Sequence, residues 1–319
     1  MRKVAIIGAG QQGRSIAEAL ALQGEYGVSI TDKDSAVLNK FSGLVNHENI
    51  KVFETSAQTV RDADIIILAT PIDKFSSVLH EIAGHVKPGA IVTDVGSGKQ
   101  KSIYEISQNL PDGAVYIPSH PIAGKAGVGP ETGSADMYRN QSVVVIPQGP
   151  AKAEEQVVVQ KMWGDMDARI TPMSALAHDK LYGTISHFQH VIAFSQTLAG
   201  EDEKNSGSAE EDYQKAYNTL LDTTRIANAS APMWQAIFKD NKASIQEASN
   251  GFKARLEELK AALESETSDK LLGLIGQAHN FRQGIPEDRP REAIWSEFQD
   301  FSAEKKQTVM SAGRSVRHV

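Results

Sequence analysis

The stretch "KVAIIGAGQQG" (3–13) decides the fold of this chain. Its first half is a continuous apolar run, which is typical of a buried strand, and its second half matches G-x-G-x-x-G at the start of a helical pattern. Gly8 permits the tight turn after the strand, Gly10 lets the backbone approach a pyrophosphate, and Gly13 allows the helix to pack closely on the strand. The N–H groups at the start of the helix then bind phosphate. The stretch therefore predicts a dinucleotide-binding strand, turn and helix.

An acid at the end of the second predicted strand, "GVSITD" (27–32), indicates which dinucleotide is bound. Asp32 follows Gly13 at the spacing of roughly 20 residues that the fingerprint requires. Its carboxylate accepts hydrogen bonds from the ribose 2′-hydroxyl and repels a 2′-phosphate, which favours NAD over NADP, although the adjacent Lys33 softens that preference. Four more residues are expected to contact the cofactor: Gln11, Gln12, Thr70 and Pro71.

Apolar runs and helical patterns alternate through the first half of the chain. Further strands are predicted at 50–54, 64–70, 90–96, 114–120, 142–148 and 168–173. Continuous Val/Ile runs between helices are typical of a parallel sheet that is covered on both faces. From about Ser174 the strand signals stop, and 174–200 reads as one long helix. We therefore predict an α/β dinucleotide-binding domain over residues 1–172, followed by an all-helical domain over residues 173–319.

Several predicted helices of the second half are long. Long helices that cannot bury their apolar faces within one chain complete their core against another copy. We therefore expect a homodimer formed through the helical domain.

The composition excludes several kinds of partner and site. Of 319 residues, 40% are hydrophobic and 23% are charged, and the net charge is -7. This acidic balance argues against binding to nucleic acid or to an anionic membrane surface, and no apolar stretch is long enough for a membrane helix. The sequence has no cysteine, which excludes disulfides, a thiolate nucleophile and a cysteine-ligated metal. We expect a cytoplasmic protein that acts on a small molecule.

The segment "SHPIAGKAGVGPETG" (119–133) carries a histidine at the predicted carboxyl end of a strand. Ligands of open α/β sheets lie beyond the carboxyl ends of the strands, so His120 is expected on a loop where cofactor and substrate meet. A histidine opposite a nicotinamide suits oxidation of a hydroxyl to a carbonyl, because it takes the hydroxyl proton while hydride leaves from carbon. Ser97, in "DVGSGK" (94–99), lies at the end of the neighbouring strand and is expected to orient the hydroxyl or the imidazole.

These motifs occur in an order that resembles a known family. G-x-G-x-x-G is followed by "DVGSGK", then "HPIAG" (120–124), then "SHFQH" (186–190), then "TRIA" (224–227) with Trp234 downstream. This order is similar to that of the prephenate/arogenate dehydrogenases of tyrosine biosynthesis, the TyrA family, over roughly residues 1 to 300. The resemblance implies a Rossmann-type NAD-binding domain and a helical dimerisation domain. It also implies oxidative decarboxylation: hydride passes from ring C4 to NAD, a base takes the C4 hydroxyl proton, and carbon dioxide leaves as the ring becomes aromatic.

The resemblance also implies roles for individual residues. His120 contacts the C4 hydroxyl and Ser97 supports it, while Arg225 holds a substrate carboxylate, for which a bidentate guanidinium is suited. The residues implied to line the substrate pocket are His187, His190, Asp222 and Trp234. The i, i+3 histidine pair lacks an H-E-x-x-H motif and an obvious third ligand, so we predict no metal site. The structural alternatives are a pair of core or interface histidines and a core tryptophan at a helix start.

The sequence departs from the family after "HPIAG". Members commonly continue T-E-x-S-G, whereas this chain has Lys125 in place of the Thr, Ala126 in place of the Glu and Val128 in place of the Ser. Lys125 is expected to influence substrate choice, favouring anionic prephenate over arogenate or indicating a different cyclohexadienyl substrate; the alternative is a solvated loop lysine. Gln189 replaces the proline of the common "SHLPH", which should leave that helix straighter.

Two other functions stay open. One is an NAD-dependent dehydrogenase acting on a different cyclohexadienyl or a 3-hydroxyacid substrate, although the 3-hydroxyacid enzymes use a lysine base and have no H-P-I-A-G loop. The other is an NAD-binding dimer without catalytic activity. Assays with prephenate, arogenate and NAD separate these possibilities.

Overall fold

The computed structural model describes residues 1–124, 127–205, 219–265 and 269–285. The chain divides into two compact units, Met1–Phe252 and Lys253–Val319. Lys125, predicted to influence substrate choice, lies outside the described residues.

A six-stranded parallel sheet forms the centre of the first unit. Its strands are β1 (Arg2–Ile7), β2 (Tyr26–Thr31), β3 (Ile50–Val52), β4 (Ile65–Leu68), β5 (Ile91–Asp94) and β6 (Val115–Tyr116). They lie in the order β3-β2-β1-β4-β5-β6, with every neighbouring pair parallel. This order reverses between β1 and β4, and a doubly wound sheet opens a ligand crevice at that point, beyond the carboxyl ends of the strands.

Helices cover both faces of this sheet, as the continuous apolar runs predicted. They are α1 (Gln11–Leu22), α2 (Ser35–Leu44), α3 (Ser56–Val60), α4 (Phe75–Ile82), α5 (Gln100–Asn109) and α6 (Ala153–Gly164). Successive side chains of β4 point to opposite faces. Ile65 and Ile67 pack in the core that contains Trp163, whereas Ile66 and Leu68 pack in the core that contains Phe75. A strand buried on both faces needs an apolar residue at every position, which explains the unbroken Ile/Leu run.

Residues 114–120 do not form the single strand that we predicted. β6 ends at Tyr116, and Ser119–Pro121 form a separate strand, β7, in a three-stranded sheet with β8 (Ser142–Val145) and β9 (Arg169–Pro172). Pro118 lies at the break and has no N–H to continue the parallel ladder. β7 runs antiparallel to β8, with His120 opposite Val144. The expectation that β8 continues the main sheet is therefore wrong, and His120 lies on a strand rather than on a loop.

The chain after β9 is helical wherever the structure describes it, which confirms the predicted order of an α/β domain and a helical one. The elements are α7 (Ala175–Tyr182), a π-helical turn (Gly183–His187), α8 (Phe188–Asn205), a 3-10 turn (Arg225–Asn228), α9 (Ala231–Asp240), α10 (Lys242–Leu263) and α11 (Asp269–Gln283). The predicted boundary between residues 172 and 173 falls where β9 ends; it stays a prediction.

The helix predicted over 174–200 is interrupted by the π-helical turn at Gly183–His187. A Cβ at Gly183 would lie 2.6 Å from the side chain of Ser244, so the glycine permits a close approach of this turn to α10. This turn ends on His187, before Gln189, and the effect of Gln189 on the straightness of the helix stays a prediction.

Among the helices that the structure describes, none is both long enough and apolar enough to cross a membrane.

Candidate active site

His120 is held at the carboxyl end of the main sheet by its neighbour Ser119. The Ser119 hydroxyl donates to the carbonyl oxygen of Asp94 at 2.7 Å and accepts from the indole N–H of Trp163 at 3.2 Å. These bonds fix β7 against the end of β5. The His120 side chain is consequently well buried, since the residue is only 8% exposed.

A buried ion pair lies directly beneath this strand. Lys99 Nζ donates to Asp94 Oδ2 at 2.5 Å and to the Ser119 carbonyl at 2.7 Å, and neither charged side chain is exposed to solvent. Tyr116 donates its hydroxyl to Asp94 Oδ1 at 2.7 Å, and burial raises the pKa of that phenol well above its usual value. An unpaired buried charge costs several kcal/mol, so the geometry of this network is tightly constrained. "DVGSGK" thus begins and ends with residues that fix the base of the site, a role that sequence reasoning missed.

A chain of hydrogen bonds leads from His120 into the helical part of the protein. His120 Nδ1 lies 2.8 Å from His178 Nε2, and His178 Nδ1 lies 2.8 Å from Asp179 Oδ1. Asp179 also accepts the backbone N–H groups of Lys99 and Gln100, at 2.9 and 2.8 Å, where α5 begins. A carboxylate at a helix N-terminus is favoured by the free N–H groups and the helix dipole. The motifs that indicated the site in the sequence contain neither His178 nor Asp179, so sequence reasoning missed both residues.

The buried histidines of the site are neutral near pH 7. Burial, followed by the influence of His178 and Lys99, holds the pKa of His120 well below its ordinary value. Burial also lowers the pKa of His178, and it lowers the pKa of His187 to about 3. Burial alone raises the pKa of Asp179, but the hydrogen bonds from His178 and from the backbone outweigh it and leave the pKa lowered. His120 is therefore a neutral imidazole, the form that accepts a proton.

Ring contacts in the helical part form two groups, one at His120 and one at Trp234, and we call the second group the aromatic wall. The Tyr182 ring lies 5.2 Å from the His120 ring and 4.6 Å from the His178 ring, centre to centre. The His190 ring stacks on Trp234 at 3.4 Å, and His187 meets the same indole edge-on at 6.0 Å. The i, i+3 pair therefore faces one aromatic residue.

Asn241 fixes the buried member of this histidine pair. Its side-chain amide lies 3.1 Å from His187 Nδ1 and donates to the Asp179 carbonyl at 2.7 Å. His187 and Asp179 are thereby held by the same side chain, which links the aromatic wall to the chain of bonds that ends on His120.

Three predicted substrate or catalytic residues lie farther from these contacts. Asp222, in the helical residues 219–224, and Arg225, in the 3-10 turn that packs against α8, are exposed. Ser97 lies half-buried in the loop between β5 and α5. Within the described residues, the structure records no hydrogen bond between Ser97 and His120.

The glycine loop has the geometry that a dinucleotide requires. Gly8 has φ +108°, and a Cβ there would lie 2.6 Å from the carbonyl oxygen of Ala69 on the neighbouring strand end. A Cβ at Gly13 would overlap the Gly8 carbonyl, whereas the space around Gly10 is open to 4 Å. Gly8 and Gly13 are therefore needed for close packing, whereas Gly10 leaves room for a ligand against the backbone.

Asp32 lies at the end of β2, beside this loop. Its carboxylate accepts the backbone N–H of Ala9 at 2.8 Å and that of Asp34 at 2.9 Å. Thr70 Oγ1 is buried without a hydrogen-bond partner in the described part of the chain, and Pro71 next to it is exposed. The open glycine backbone, the acid and the unpartnered hydroxyl together fit a dinucleotide.

The two glutamines of the loop make contacts that the sequence did not predict. Gln12 Nε2 donates to the Ala123 carbonyl at 2.7 Å, and Gln11 Nε2 donates to Thr132 Oγ1 at 2.5 Å. Both side chains therefore tie the glycine loop to the segment that follows His120, which gives them a structural role beside any contact with a cofactor.

No group of three or more histidine, aspartate or glutamate side chains within the described ranges is placed to hold a metal ion.

Two family models match this chain. One, described as the nucleotide-binding domain of prephenate dehydrogenase, matches residues 5–172, and the other, described as the prephenate dehydrogenase dimerization domain, matches residues 174–277. The cyclohexadienyl dehydrogenase of Zymomonas mobilis is 29% identical over 289 residues, which cover 90% of this chain and 97% of that protein. The prephenate dehydrogenase of Bacillus subtilis is 26% identical over 292 residues, which cover 89% of this chain and 76% of that one.

Solved structures give the same result. The prephenate dehydrogenase of Aquifex aeolicus, in complex with hydroxyphenyl propionate and NAD+, matches with a TM-score of 0.79 and 26% identity, covering 90% of this chain and 99% of that one. The arogenate dehydrogenase of Synechocystis shares the fold, with a TM-score of 0.71 and 20% identity over 88% of this chain and 99% of that one. Since the two family models follow one another from residue 5 to residue 277, the chain belongs to the prephenate dehydrogenase family.

Proposed function

We propose that this protein is an NAD-dependent dehydrogenase that oxidatively decarboxylates prephenate, arogenate or both, in tyrosine biosynthesis. The observation that carries the proposal is a buried, neutral His120 at the ligand-binding edge of a dinucleotide-binding sheet. Its relatives support it: one is a cyclohexadienyl dehydrogenase, another is a prephenate dehydrogenase, and a third was solved with NAD+ and a hydroxyphenyl compound. The products are 4-hydroxyphenylpyruvate from prephenate and tyrosine from arogenate.

The residues that would hold NAD are those of the glycine loop and the ends of β2 and β4. The N–H groups at the start of α1 would bind the pyrophosphate, the Asp32 carboxylate would accept hydrogen bonds from the ribose hydroxyls, and the Thr70 hydroxyl would gain a partner. NAD, when bound, supplies the acceptor for the hydride that leaves ring C4. The Asp32 carboxylate favours NAD over NADP.

The protein's own chemical task is to orient the ring and take one proton. His120 Nε2 has no hydrogen-bond partner among the described residues, so it is available to the substrate hydroxyl. As the hydroxyl O–H bond breaks, the proton moves to Nε2 and the released electron pair forms the second C4–O bond while hydride leaves C4. The electron pair of the C1–carboxylate bond then enters the ring, which becomes aromatic as carbon dioxide leaves. Holding the reacting groups in this geometry lowers the entropic cost of bringing them together for the reaction.

Other residues complete the substrate site in this proposal. The exposed Arg225 guanidinium grips a substrate carboxylate, and Asp222 lies one turn before it. His187, His190 and Trp234 form an aromatic wall against the ring, and Ser97 orients the hydroxyl or His120. Lys125 favours an anionic side chain. We also propose that residues 1–172 form the NAD domain and residues 173–319 the substrate and dimerisation domain.

We further propose that the protein is a homodimer formed through its helical part. Within Lys253–Val319 the described helices expose large apolar side chains, among them Leu256, Leu263, Leu272, Ile275 and Phe281. Several large exposed apolar side chains on neighbouring segments are consistent with an interaction surface, and the second family model is described as a dimerization domain. Light scattering at micromolar concentration tests this, and a monomer contradicts it. The cytoplasmic location stays a proposal, which detection of the protein in fractionated cells tests.

The function is tested by steady-state assays of the purified protein. Prephenate and arogenate are each supplied with NAD and with NADP, and the absorbance of the reduced nicotinamide is followed. We expect turnover with NAD that falls about 100-fold or more in His120→Asn, because a general base contributes about 10²–10⁴ in rate. NAD binding without turnover of either substrate would favour the non-catalytic dimer instead, and turnover of a 3-hydroxyacid would favour the other class of dehydrogenase.

A further inference from the structure

The chain of hydrogen bonds from Asp179 through His178 to His120 joins three buried side chains. Both links measure 2.8 Å, and all three residues are at most 8% exposed. Asp179 and His178 lie on α7, whereas His120 lies on β7 of the second sheet. Two elements far apart in sequence therefore meet at one pair of imidazoles.

The direction of each bond in this chain follows from the acid at its end. The Asp179 carboxylate accepts the N–H groups of Lys99 and Gln100 as well as the bond from His178, and a carboxylate has no proton to donate. His178 Nδ1 must therefore carry the proton. A neutral imidazole carries one N–H, so His178 Nε2 is an acceptor.

The acceptor at His178 Nε2 in turn fixes the position of the proton on His120. Because His178 Nε2 accepts, His120 Nδ1 must be the donor of the 2.8 Å bond between the two rings. A neutral His120 with its proton on Nδ1 has its lone pair on Nε2, the nitrogen that no described residue occupies. The carboxylate of Asp179 thus selects the form of His120 that can act as a base.

We propose that Asp179 and His178 are positioning residues that fix His120 in the Nδ1-protonated tautomer and so make Nε2 the base of the reaction. The inference deepens the proposed function and rests on it for the identity of the reaction. When the substrate O–H bond breaks and Nε2–H forms, His120 becomes an imidazolium. Its Nδ1–H remains bonded to His178, which is polarised by the Asp179 carboxylate, so the new positive charge is stabilised inside a site that excludes water.

The pKa directions agree with this assignment. Burial lowers the pKa of both His120 and His178, which keeps both rings neutral, and the hydrogen bonds to Asp179 keep its pKa below the ordinary value despite burial. The nearby Lys99 also opposes a second proton on the His120 ring before substrate binds.

The test measures the tautomer directly. The full-length protein is labelled with ¹⁵N in its histidine rings and loaded with NAD, and His120 is assigned by comparison with His120→Asn. We expect a pyridine-type resonance for His120 Nε2 and a pyrrole-type resonance for Nδ1. The side-chain amide in Asp179→Asn can donate to His178. In this variant we expect the His120 proton to lie on Nε2 instead of Nδ1 in a large fraction of molecules. The kcat should fall about 100-fold, with KM within about threefold, as expected for loss of the correct tautomer.

A second variant and a control separate this role from simple support of α5. His178→Gln still reaches His120 but no longer imposes one tautomer, and it should reproduce both effects. Asp64→Asn removes a carboxylate that also accepts a backbone N–H and a lysine, but at the amino end of β4; it should change neither tautomer nor kcat. A wild-type His120 protonated on Nε2 overturns the proposal, as does an Asp179→Asn variant that loses activity with the tautomer unchanged. Because the spectra need no substrate, failure of the proposed reaction leaves this measurement standing and is recognised separately.

Discussion

The roles that we propose for Arg225 and His120 differ, because Arg225 is exposed and His120 is buried. His120 lies in a water-excluded position where its proton affinity is set by its neighbours. Arg225 lies on a 3-10 turn and is exposed, which suits its proposed role of binding a substrate carboxylate. Burial suits a group that changes its protonation during the reaction, and exposure suits one that captures an ion from solvent.

Arg225→Ala should therefore act on binding, whereas His120→Asn should act on the chemical step. Losing a charge-assisted bond of about 2–3 kcal/mol raises KM for the substrate about 30- to 160-fold with a small change in kcat. Steady-state kinetics with saturating NAD give both constants. Arg61→Ala removes an exposed arginine at the opposite, amino-terminal edge of the sheet and is the matched control. If Arg225→Ala and His120→Asn change KM alone, the assignment of roles is wrong.

Asp32 has a structural role and a proposed role in cofactor binding, and a pair of variants separates them. Its carboxylate fixes the glycine loop through Ala9, and we propose that it also accepts the ribose hydroxyls. Asp32→Ala loses both roles and should weaken NAD about tenfold or more. Asp32→Asn keeps an oxygen for the Ala9 N–H but loses the charge that repels a 2′-phosphate, so it should raise the NADP/NAD preference with less loss of NAD affinity. Fluorescence titration with both cofactors measures this, and an unchanged cofactor preference in both variants contradicts the assignment.

The glycine loop with α1 and the strand β7 with its following loop form one connected assembly. Gln12 donates to the Ala123 carbonyl just after "HPIAG", and its side-chain oxygen accepts the Tyr138 hydroxyl at 2.7 Å. A side chain committed to two protein partners is not free to point at a cofactor. The cofactor loop and the segment carrying His120 are therefore held in register by the residue that fills one of the variable positions of G-x-G-x-x-G.

Gln12→Ala should consequently disturb the substrate more than the cofactor. Removing two hydrogen bonds, worth about 1 kcal/mol each, frees the segment after His120 and raises the substrate KM about three- to tenfold. The dissociation constant of NAD, measured by calorimetry, should change by less than about threefold, because backbone N–H groups hold the phosphates. Tyr138→Phe breaks one of the two bonds and should show a smaller effect. A variant with weakened NAD and normal KM would instead place the Gln12 side chain on the cofactor, as the sequence alone suggested.

Elements whose burial is set by local pattern were predictable, and those set by partners distant in sequence were not. The unbroken run at Ile65–Leu68 predicts a strand covered on both faces, and the spacing of Gly8, Gly10 and Gly13 predicts the loop, since each signal lies within a few residues. The separate strand β7 depends on pairing with β8 across more than 20 residues, which no local pattern encodes. The role of Asp179 depends on the start of α5, 80 residues earlier in the chain.

The whole site draws on both sequence regions within Met1–Phe252, and neither region completes it alone. The sheet and its loops supply His120, Asp32 and the buried Lys99–Asp94 pair. The helices that follow supply His178 and Asp179, and Asn241 between α9 and α10 bonds to both Asp179 and His187. The compact unit therefore continues well beyond residue 172, because residues after it set the electrostatics of residues before it.

Asp240 extends this coupling to the pH dependence of the protein's stability. Its Oδ2 is buried without a hydrogen-bond partner in the described part of the chain, against Gly98, whose added Cβ would overlap that oxygen. Burial, with the Asp179 carboxylate adding to it, raises the pKa of Asp240 from 3.8 to about 7, although Lys99 opposes the shift. Between about pH 4 and pH 7 the folded protein therefore keeps a proton that the unfolded chain has released.

The free energy of unfolding should accordingly fall as the pH rises through this window and level off above about pH 7. A shift of about three pKa units corresponds to about 4 kcal/mol, which we reduce to about 2 kcal/mol because the carboxyl is partly solvated. Asp240→Asn, which cannot ionise, should be more stable than the wild type by about that amount at about pH 8 and by less than half of that amount at about pH 5. Urea unfolding at fixed protein concentration measures both differences. Asp62→Asn, at a surface carboxylate that is 74% exposed, is the control. An Asp240→Asn protein that is equally destabilised at both pH values would show that the carboxylate holds a favourable contact, and that its burial carries no ionisation penalty.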